Sequence, residues 1–296
     1  MKKYLDLIGL IVGLTLFARQ VRLSLNALYE YKLQIPWKAM LLSLGICICF
    51  YLLQVLSWTL IMKFLKAPIR VSQAIQGYTL SFLLRYIPGS VWGYWGRGQW
   101  LKRTLGISYR VSTLGSIIEI AAFVITAFIM GMGFLINIEG KSALESSIVV
   151  LMLIIPCWLI FMYIVLNKTL EEEKQRQCYI WVSKLKFAFR WLFLLLIYIV
   201  FWIFYGVAIG VIAQTIPDRL ATTIACAAFA WIVGFVIIII PGGLGIRETA
   251  LVTLLNLTMG FPISQGNLVA VIFRAVNIFA ELIWLLVGLL IYTLSK

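Results

Sequence analysis

Three uncharged runs in this chain are each long enough to cross a lipid bilayer: residues 39–62, 146–166 and 191–217. About 20 apolar residues in a helix span the roughly 30 Å hydrocarbon core. Because water is absent there, backbone amides must be hydrogen-bonded within the protein, which allows only helices and closed barrels. The chain is 63% hydrophobic and 12% charged, whereas soluble domains are about a quarter charged. The sequence therefore predicts an all-α, polytopic membrane protein.

The basic residues indicate how the spans are oriented. Lys and Arg cluster in short segments between apolar runs, as in cytoplasmic loops beside anionic lipid, so the net charge of +14 is not taken as a sign of nucleic-acid binding. The pattern predicts a multi-pass protein of the cell (inner) membrane with both termini cytoplasmic. Its six full spans are predicted at about residues 4–18, 38–62, 111–136, 146–167, 190–214 and 264–294.

Between the second and third spans lies a segment that is apolar but too short to cross. Residues 71–84 are uncharged and number 14, which corresponds to about 21 Å of helix. Pro88 and Gly89 then interrupt the helix, because proline lacks an N–H and glycine has excess backbone freedom. Residues 91–105 return to basic sequence. With basic residues at both ends, this segment is predicted to be a re-entrant helical hairpin that enters from the cytoplasm.

A second interrupted segment follows the fifth span. Residues 220–240 lead to the turn Pro241-Gly242-Gly243, and residues 246–258 return. This segment is predicted to be a hairpin that enters from the outside. Its length leaves an alternative open, because a helix over residues 220–240 is long enough to cross the membrane outright.

These assignments predict a single transmembrane domain over residues 1–296 with two similar halves. Residues 38–136 and 190–294 each read as a span, a hairpin and a span, in opposite orientation. Inverted repeats whose broken helices meet near the membrane midplane are typical of many secondary transporters.

Ionisable residues inside the apolar segments mark a polar region, because burying a charge at bilayer depth costs on the order of 3 kcal/mol or more. Such residues pair with one another or line a polar path. Helical spacing places one polar group, Asn267, Arg274, Asn277 and Glu281, on a single face of the last span. The seven ionisable residues are Arg85, Arg97, Glu119, Arg247, Glu248, Arg274 and Glu281.

We interpret these residues as the lining of a wet cavity that receives an anionic group at two half-helix N-termini. The alternative is a set of internal ion pairs, such as Arg274 with Glu281, that only fix the register of the helices. The predicted coupling or charge-balancing residues are Glu119, Glu248 and Glu281. The predicted substrate-binding residues are Arg85, Pro88, Gly89, Arg97, Gly242, Gly243, Arg247 and Arg274.

Catalytic chemistry has little support in the sequence. There is no histidine, which is the commonest metal ligand and general base. The five cysteines lack the spacing of a zinc site and are odd in number. No catalytic residue, metal or cofactor is therefore predicted.

The two interrupted segments resemble the signatures of the lysylphosphatidylglycerol synthase transmembrane-region family, a flippase-like domain that also occurs as stand-alone proteins. Arg274 falls where that family tends to carry an arginine in its final helix. The first signature is matched by Pro88-Gly89, Gly93, Arg97, Leu101, Gly106-Ile107 and Glu119. The second, more specific one is matched by Pro241-Gly242-Gly243-Leu244-Gly245-Ile246-Arg247-Glu248.

The resemblance implies a membrane domain that moves a phospholipid or polyprenyl-linked lipid between leaflets. Full-length synthases of the family carry a cytosolic aminoacyl-transfer domain after the membrane region, whereas this sequence ends at Lys296. The resemblance therefore implies neither lysyl-lipid synthesis nor lysyl-phosphatidylglycerol as the substrate. Relatives often have Asn before the first Pro-Gly, where this chain has Leu83-Leu84-Arg85, so no particular head group is implied.

The expected function is a lipid translocase rather than an enzyme, with the deep arginines holding an anionic head group. Its expected partners are membrane lipids, either an anionic phospholipid or a polyprenyl phosphate-linked lipid. One alternative is an integral membrane transferase that acts on a lipid-linked substrate, with a carboxylate such as Glu119 as base. Another is a non-catalytic membrane partner of a glycosyltransferase or synthase. The sequence is also compatible with a homo-oligomer.

Overall fold

The computed structural model describes residues 2–30, 36–84, 92–138, 180–237 and 240–294. Within these ranges the chain is helical and contains no strand. The described residues form nine α-helices and one short 3-10 turn, Pro241–Gly243. The helices are α1 (Lys2–Glu30), α2 (Trp37–Phe64), α3 (Val71–Leu84), α4 (Trp92–Leu105), α5 (Tyr109–Ile138), α6 (Ile180–Ala213), α7 (Leu220–Val236), α8 (Ile246–Met259) and α9 (Ile263–Leu294).

Four of these helices are long and apolar enough to cross a membrane: α2, α5, α6 and α9. They correspond to the predicted second, third, fifth and sixth spans. The predicted first span lies within α1, which continues to Glu30. The predicted fourth span, residues 146–167, lies outside the described residues. The chain is thus a polytopic helical membrane protein, as the apolar runs predicted.

The two interrupted segments form pairs of short helices. Helices α3 and α4 have 14 residues each, with bounds that match the predicted arms of the first hairpin. Helix α7 has 17 residues and α8 has 14. At 1.5 Å per residue, a helix of 14 residues is about 21 Å long and does not cross the core. Re-entry of both hairpins into the membrane stays a prediction.

Helix α7 ends at Val236, four residues before the predicted end at position 240. The residue before a proline avoids helical geometry, because the proline ring clashes with its backbone. Ile240 accordingly has extended dihedrals (φ −93°, ψ 117°) ahead of Pro241. The turn of the first hairpin, with Arg85, Pro88 and Gly89, lies outside the described residues.

Helix packing follows a pairwise pattern across the two halves. Helix α2 is the first span of its half and packs on α6, the first span of the other half. The first short helix of each half packs on the last span of the other half: α3 packs on α9, and α7 packs on α5. In each half the two short helices also pack on each other. This is the contact pattern that two halves related by a two-fold axis would have. The opposite orientation of residues 38–136 and 190–294 stays a prediction.

An aromatic core fills the space between α2, α5 and α6. Trp58, Tyr198 and Trp202 are fully buried there. Two of the three have a hydrogen-bond partner inside the bundle: the Trp202 indole donates to Thr126 Oγ1 at 3.1 Å, and Ser57 Oγ donates to the Tyr198 hydroxyl at 2.8 Å. Buried aromatic side chains with satisfied polar ends make a well-packed wall, and the cavity described next lies against it.

Candidate functional site

A cavity of about 290 Å³ is enclosed by residues from all eight helices α2 to α9 and from the Pro241–Gly243 turn. Most of the predicted site residues meet in its wall, although they are up to 184 positions apart in the chain (97 to 281). Glu248 lies behind this wall, against an adjoining small chamber. Arg85, Pro88 and Gly89 lie outside the described residues. The predicted residues that line the cavity are Arg97, Glu119, Gly242, Gly243, Arg247, Arg274 and Glu281.

Arg97 of α4 is locked into a buried pair with Glu119 of α5. Their Nη2 and Oε2 atoms are 2.5 Å apart, and Arg97 is 1% exposed. Ser116 Oγ accepts a second hydrogen bond from Arg97 at 3.0 Å. The guanidinium also stacks on Trp58, 3.6 Å from the ring centre, and the Tyr78 hydroxyl donates to Glu119 at 2.6 Å. This corner of the cavity fits the alternative of an internal ion pair.

The Pro241–Gly243 turn is built from glycines in the left-handed region. Gly242 and Gly243 have φ values of 59° and 65°, and Gly245 has 78°. A Cβ on Gly243 would lie 3.0 Å from the carbonyl oxygen of Gly234 in α7, so the turn presses directly on that helix. Helix α8 then starts at Ile246, and its first N–H groups have no intrahelical acceptor. The turn therefore places a helix N-terminus beside the cavity.

Arg247 occupies the second position of α8 and is half-buried in the cavity wall. Its guanidinium lies 5.5 Å from the centre of the Trp231 ring. A Cβ on Gly234 would meet Arg247 Cβ at 3.0 Å, so the glycine makes room for this side chain. Within the part of the chain that the structure describes, Arg247 makes no hydrogen bond or ion pair, and its Nε has no acceptor. No described residue therefore neutralises this cation.

Arg274 of α9 lies between the main cavity and the chamber behind it, and lines both. Its Nη1 is 3.5 Å from Glu248 Oε1. The two residues are 5% and 4% exposed. This ion pair joins α8 to α9, and it is looser than the pair between Arg97 and Glu119.

The polar face predicted on the last span is buried, with Asn267, Asn277 and Glu281 each at most 6% exposed. The Tyr51 hydroxyl of α2 lies 2.7 Å from Glu281 Oε1 and 3.1 Å from Asn277 Oδ1. Further along the face, Gln20 of α1 donates to Asn267 at 2.5 Å. The polar face therefore connects α9 to α1 and α2 through hydrogen bonds.

Sequence reasoning missed several cavity residues. Tyr51 and Gln54 of α2 line the cavity, and both are buried. A signal for them existed, because Tyr51, Gln54 and Ser57 recur every three residues in an otherwise apolar run. Trp231 and Gly234 of α7 had no such signal, since an aromatic residue or a glycine in an apolar helix more often serves helix packing than lines a cavity.

The cavity is suited to binding a small anion-bearing group. A guanidinium presents five N–H donors in a planar fork that matches phosphate or carboxylate oxygens. On the measure used for protein cavities one water needs roughly 10–15 Å³, so a cavity of about 290 Å³ has room for a group much larger than a water molecule. It is therefore large enough to take a lipid head group.

Comparison with known families identifies the chain. The sequence model of the lysylphosphatidylglycerol synthase TM region matches residues 7–284. Comparison with curated proteins and with solved structures gave no match. Proteins with this region are membrane proteins related to lipid modification and translocation, and the apolar helices agree with a multi-pass membrane protein. Since the match covers nearly all of the sequence, the chain belongs to the lysylphosphatidylglycerol synthase transmembrane-region family.

Proposed function

We propose that this protein is a lipid translocase that moves an anionic phospholipid or a polyprenyl phosphate-linked lipid between the two leaflets. The head group enters the cavity and the hydrocarbon chains stay in the bilayer. The observation that carries the proposal is Arg247, a cation in the cavity wall without an acceptor among the described residues.

The energetics of membrane burial support this role for Arg247. A charged side chain at membrane depth costs several kcal/mol unless it is paired, so such residues mark substrate paths when they persist. The neighbouring half-helix N-terminus adds N–H donors and a positive dipole end, both of which favour an anion. An anionic head group supplies the missing counter-charge.

The other site residues have distinct roles in the proposal. Arg274 supplies a second cation to the phosphate from the neighbouring helix, α9. Gly242 and Gly243 shape the wall beside the phosphate. Arg97 and Glu119 hold α4 against α5 through their ion pair. The roles predicted for Arg85, Pro88 and Gly89 stay predictions.

The direct test is leaflet exchange of fluorescent phospholipids and polyprenyl phosphates in proteoliposomes. Wild-type protein is compared with Arg247→Ala and with Arg103→Ala, which removes an exposed arginine at the end of α4. Hydrogen bonds to a charged group contribute about 1.5–3 kcal/mol, so Arg247→Ala is expected to slow exchange by roughly 10- to 100-fold. Arg103→Ala is expected to exchange lipid at the wild-type rate.

Two results would contradict the proposal. Equal rates of lipid exchange by wild type and Arg247→Ala would show that the head-group site does not lie at the second broken helix. The second result is absence of exchange for every lipid in protein that shows a cooperative unfolding transition and is therefore folded. It would favour the transferase or the partner-subunit alternative. Product formation from a nucleotide-sugar or aminoacyl donor would then identify the transferase.

A further inference from the structure

The three buried carboxylates near the cavity are held in different ways. Glu119 and Glu281 each accept short hydrogen bonds from neighbouring helices. Glu248 lies in the first turn of α8, at the positive end of that helix. Among the described residues its ion pair is with Arg274, whose Nη1 is 3.5 Å from Oε1, a distance too long for a charge-assisted hydrogen bond. Glu248 is 4% exposed, and its Oε2 makes no hydrogen bond within the described ranges. Among the described residues, its carboxylate is therefore held by fewer hydrogen bonds than that of Glu119 or Glu281.

Glu248 lies against a chamber of about 20 Å³ that adjoins the main cavity. This volume is sufficient for one water molecule. The charged and titratable groups lining it, besides Glu248, are Tyr205 from α6, Arg247 from α8 and Arg274 from α9. Helix α7 adds two alanines, while α1 and α5, which also pack on α8, add no described residue to the lining. A water here can carry a proton to the carboxylate.

The same two arginines serve both compartments. Arg247 and Arg274 line the chamber and the head-group cavity alike. A phosphate in the main cavity attracts both guanidinium groups and so competes with Glu248 for Arg274. A buried carboxylate that loses its counter-charge takes up a proton rather than remaining ionised.

We propose that Glu248 is a proton-binding site coupled to the head-group site. When the lipid phosphate binds Arg247 and Arg274, Glu248 takes up one proton from water through the chamber. When the phosphate leaves, Arg274 returns to Glu248 and the proton is released to water. This inference rests on the proposed lipid translocase and specifies that its head-group binding is coupled to proton uptake.

The test measures proton uptake on binding, using the purified full chain in detergent and dihexanoyl phosphatidylglycerol as the probe. Titration calorimetry in two buffers of different ionisation enthalpy gives the number of protons taken up per lipid bound. We expect wild type to take up as much as one proton per lipid bound. Its affinity for the lipid is then expected to fall as pH rises, by up to about tenfold per pH unit. Glu248→Gln is expected to bind the probe without proton uptake and with affinity independent of pH.

Two further variants separate the carboxylates. Glu248→Asp keeps a titratable group at the site and is expected to retain proton uptake. Glu281→Gln is expected to retain it as well. Undiminished uptake by Glu248→Gln, or loss of uptake only in Glu281→Gln, would overturn the assignment. Binding and leaflet exchange without proton uptake in wild type would overturn the proton site alone, whereas absence of both binding and exchange would overturn the translocase proposal with it.

Discussion

The two broken-helix regions each bring an arginine to the same cavity, but they hold it differently. Arg97 is the sixth residue of α4 and is enclosed by Glu119, Ser116 and aromatic rings. Arg247 is the second residue of α8, lies over the face of Trp231 and makes no hydrogen bond or ion pair with a described residue. The first arginine is paired within the protein, whereas the second has no acceptor among the described residues.

This difference separates two uses of a buried charge. A pair such as Arg97 and Glu119 must stay together, because removing one partner leaves an uncompensated charge in a low-dielectric interior. A cation without a partner is costly in the empty protein and gains on binding an anion. We therefore expect the first region to determine stability and the second to determine binding.

The largest effect is expected from Arg97→Ala. Breaking a buried ion pair by removing one partner costs about 3–5 kcal/mol, so the free energy of unfolding should fall by about that amount. Denaturant unfolding in detergent micelles measures it, with Arg247→Ala as the matched variant in the other region. Equal losses of stability in the two variants would contradict the view that the first region determines stability and the second determines binding.

A smaller effect is expected from an alanine at the turn of the second region. Gly243→Ala and Gly260→Ala both place a Cβ on a residue with φ above 60°, which costs about 1–2 kcal/mol. At Gly260 the added Cβ meets nothing within 4 Å, whereas at Gly243 it meets Gly234 at 3.0 Å. Gly243→Ala is therefore expected to lose more stability and also to slow lipid exchange, while Gly260→Ala keeps exchange. Normal exchange by Gly243→Ala would show that the turn does not shape the site.

The smallest effect is expected at the aromatic face beside Arg247. A cation–π contact contributes about 0.5–1 kcal/mol, so Trp231→Leu should weaken binding of a short-chain anionic lipid by about two- to fivefold. Calorimetry measures the change, and Trp37→Leu, at a residue that is 61% exposed, serves as control. A loss of a hundredfold would mean that Trp231 contacts the lipid itself.

Much of the fold was predictable from local chemistry. The apolar segments predicted the four helices that are long and apolar enough to cross a membrane, since length and hydropathy alone decide whether a helix can span the core. The bounds of α3 and α4 followed from charge and from the Pro-Gly interruption. The end of α7 was predicted four residues late, because an uncharged run does not show where the backbone turns extended before Pro241.

The sequence by itself determined that this is a helical membrane protein of a lipid-related family and that its deep charges must be paired or line a polar path. It also placed Arg274 and Glu281 on one face of α9, because helical periodicity is a local property. Only the tertiary structure decided that Arg97 pairs with Glu119, that Arg274 lies against Glu248 and that Arg247 has no acceptor among the described residues. The physical reason is that the cost of burying a charge is set by its own chemistry, whereas its partner is set by which helices pack together.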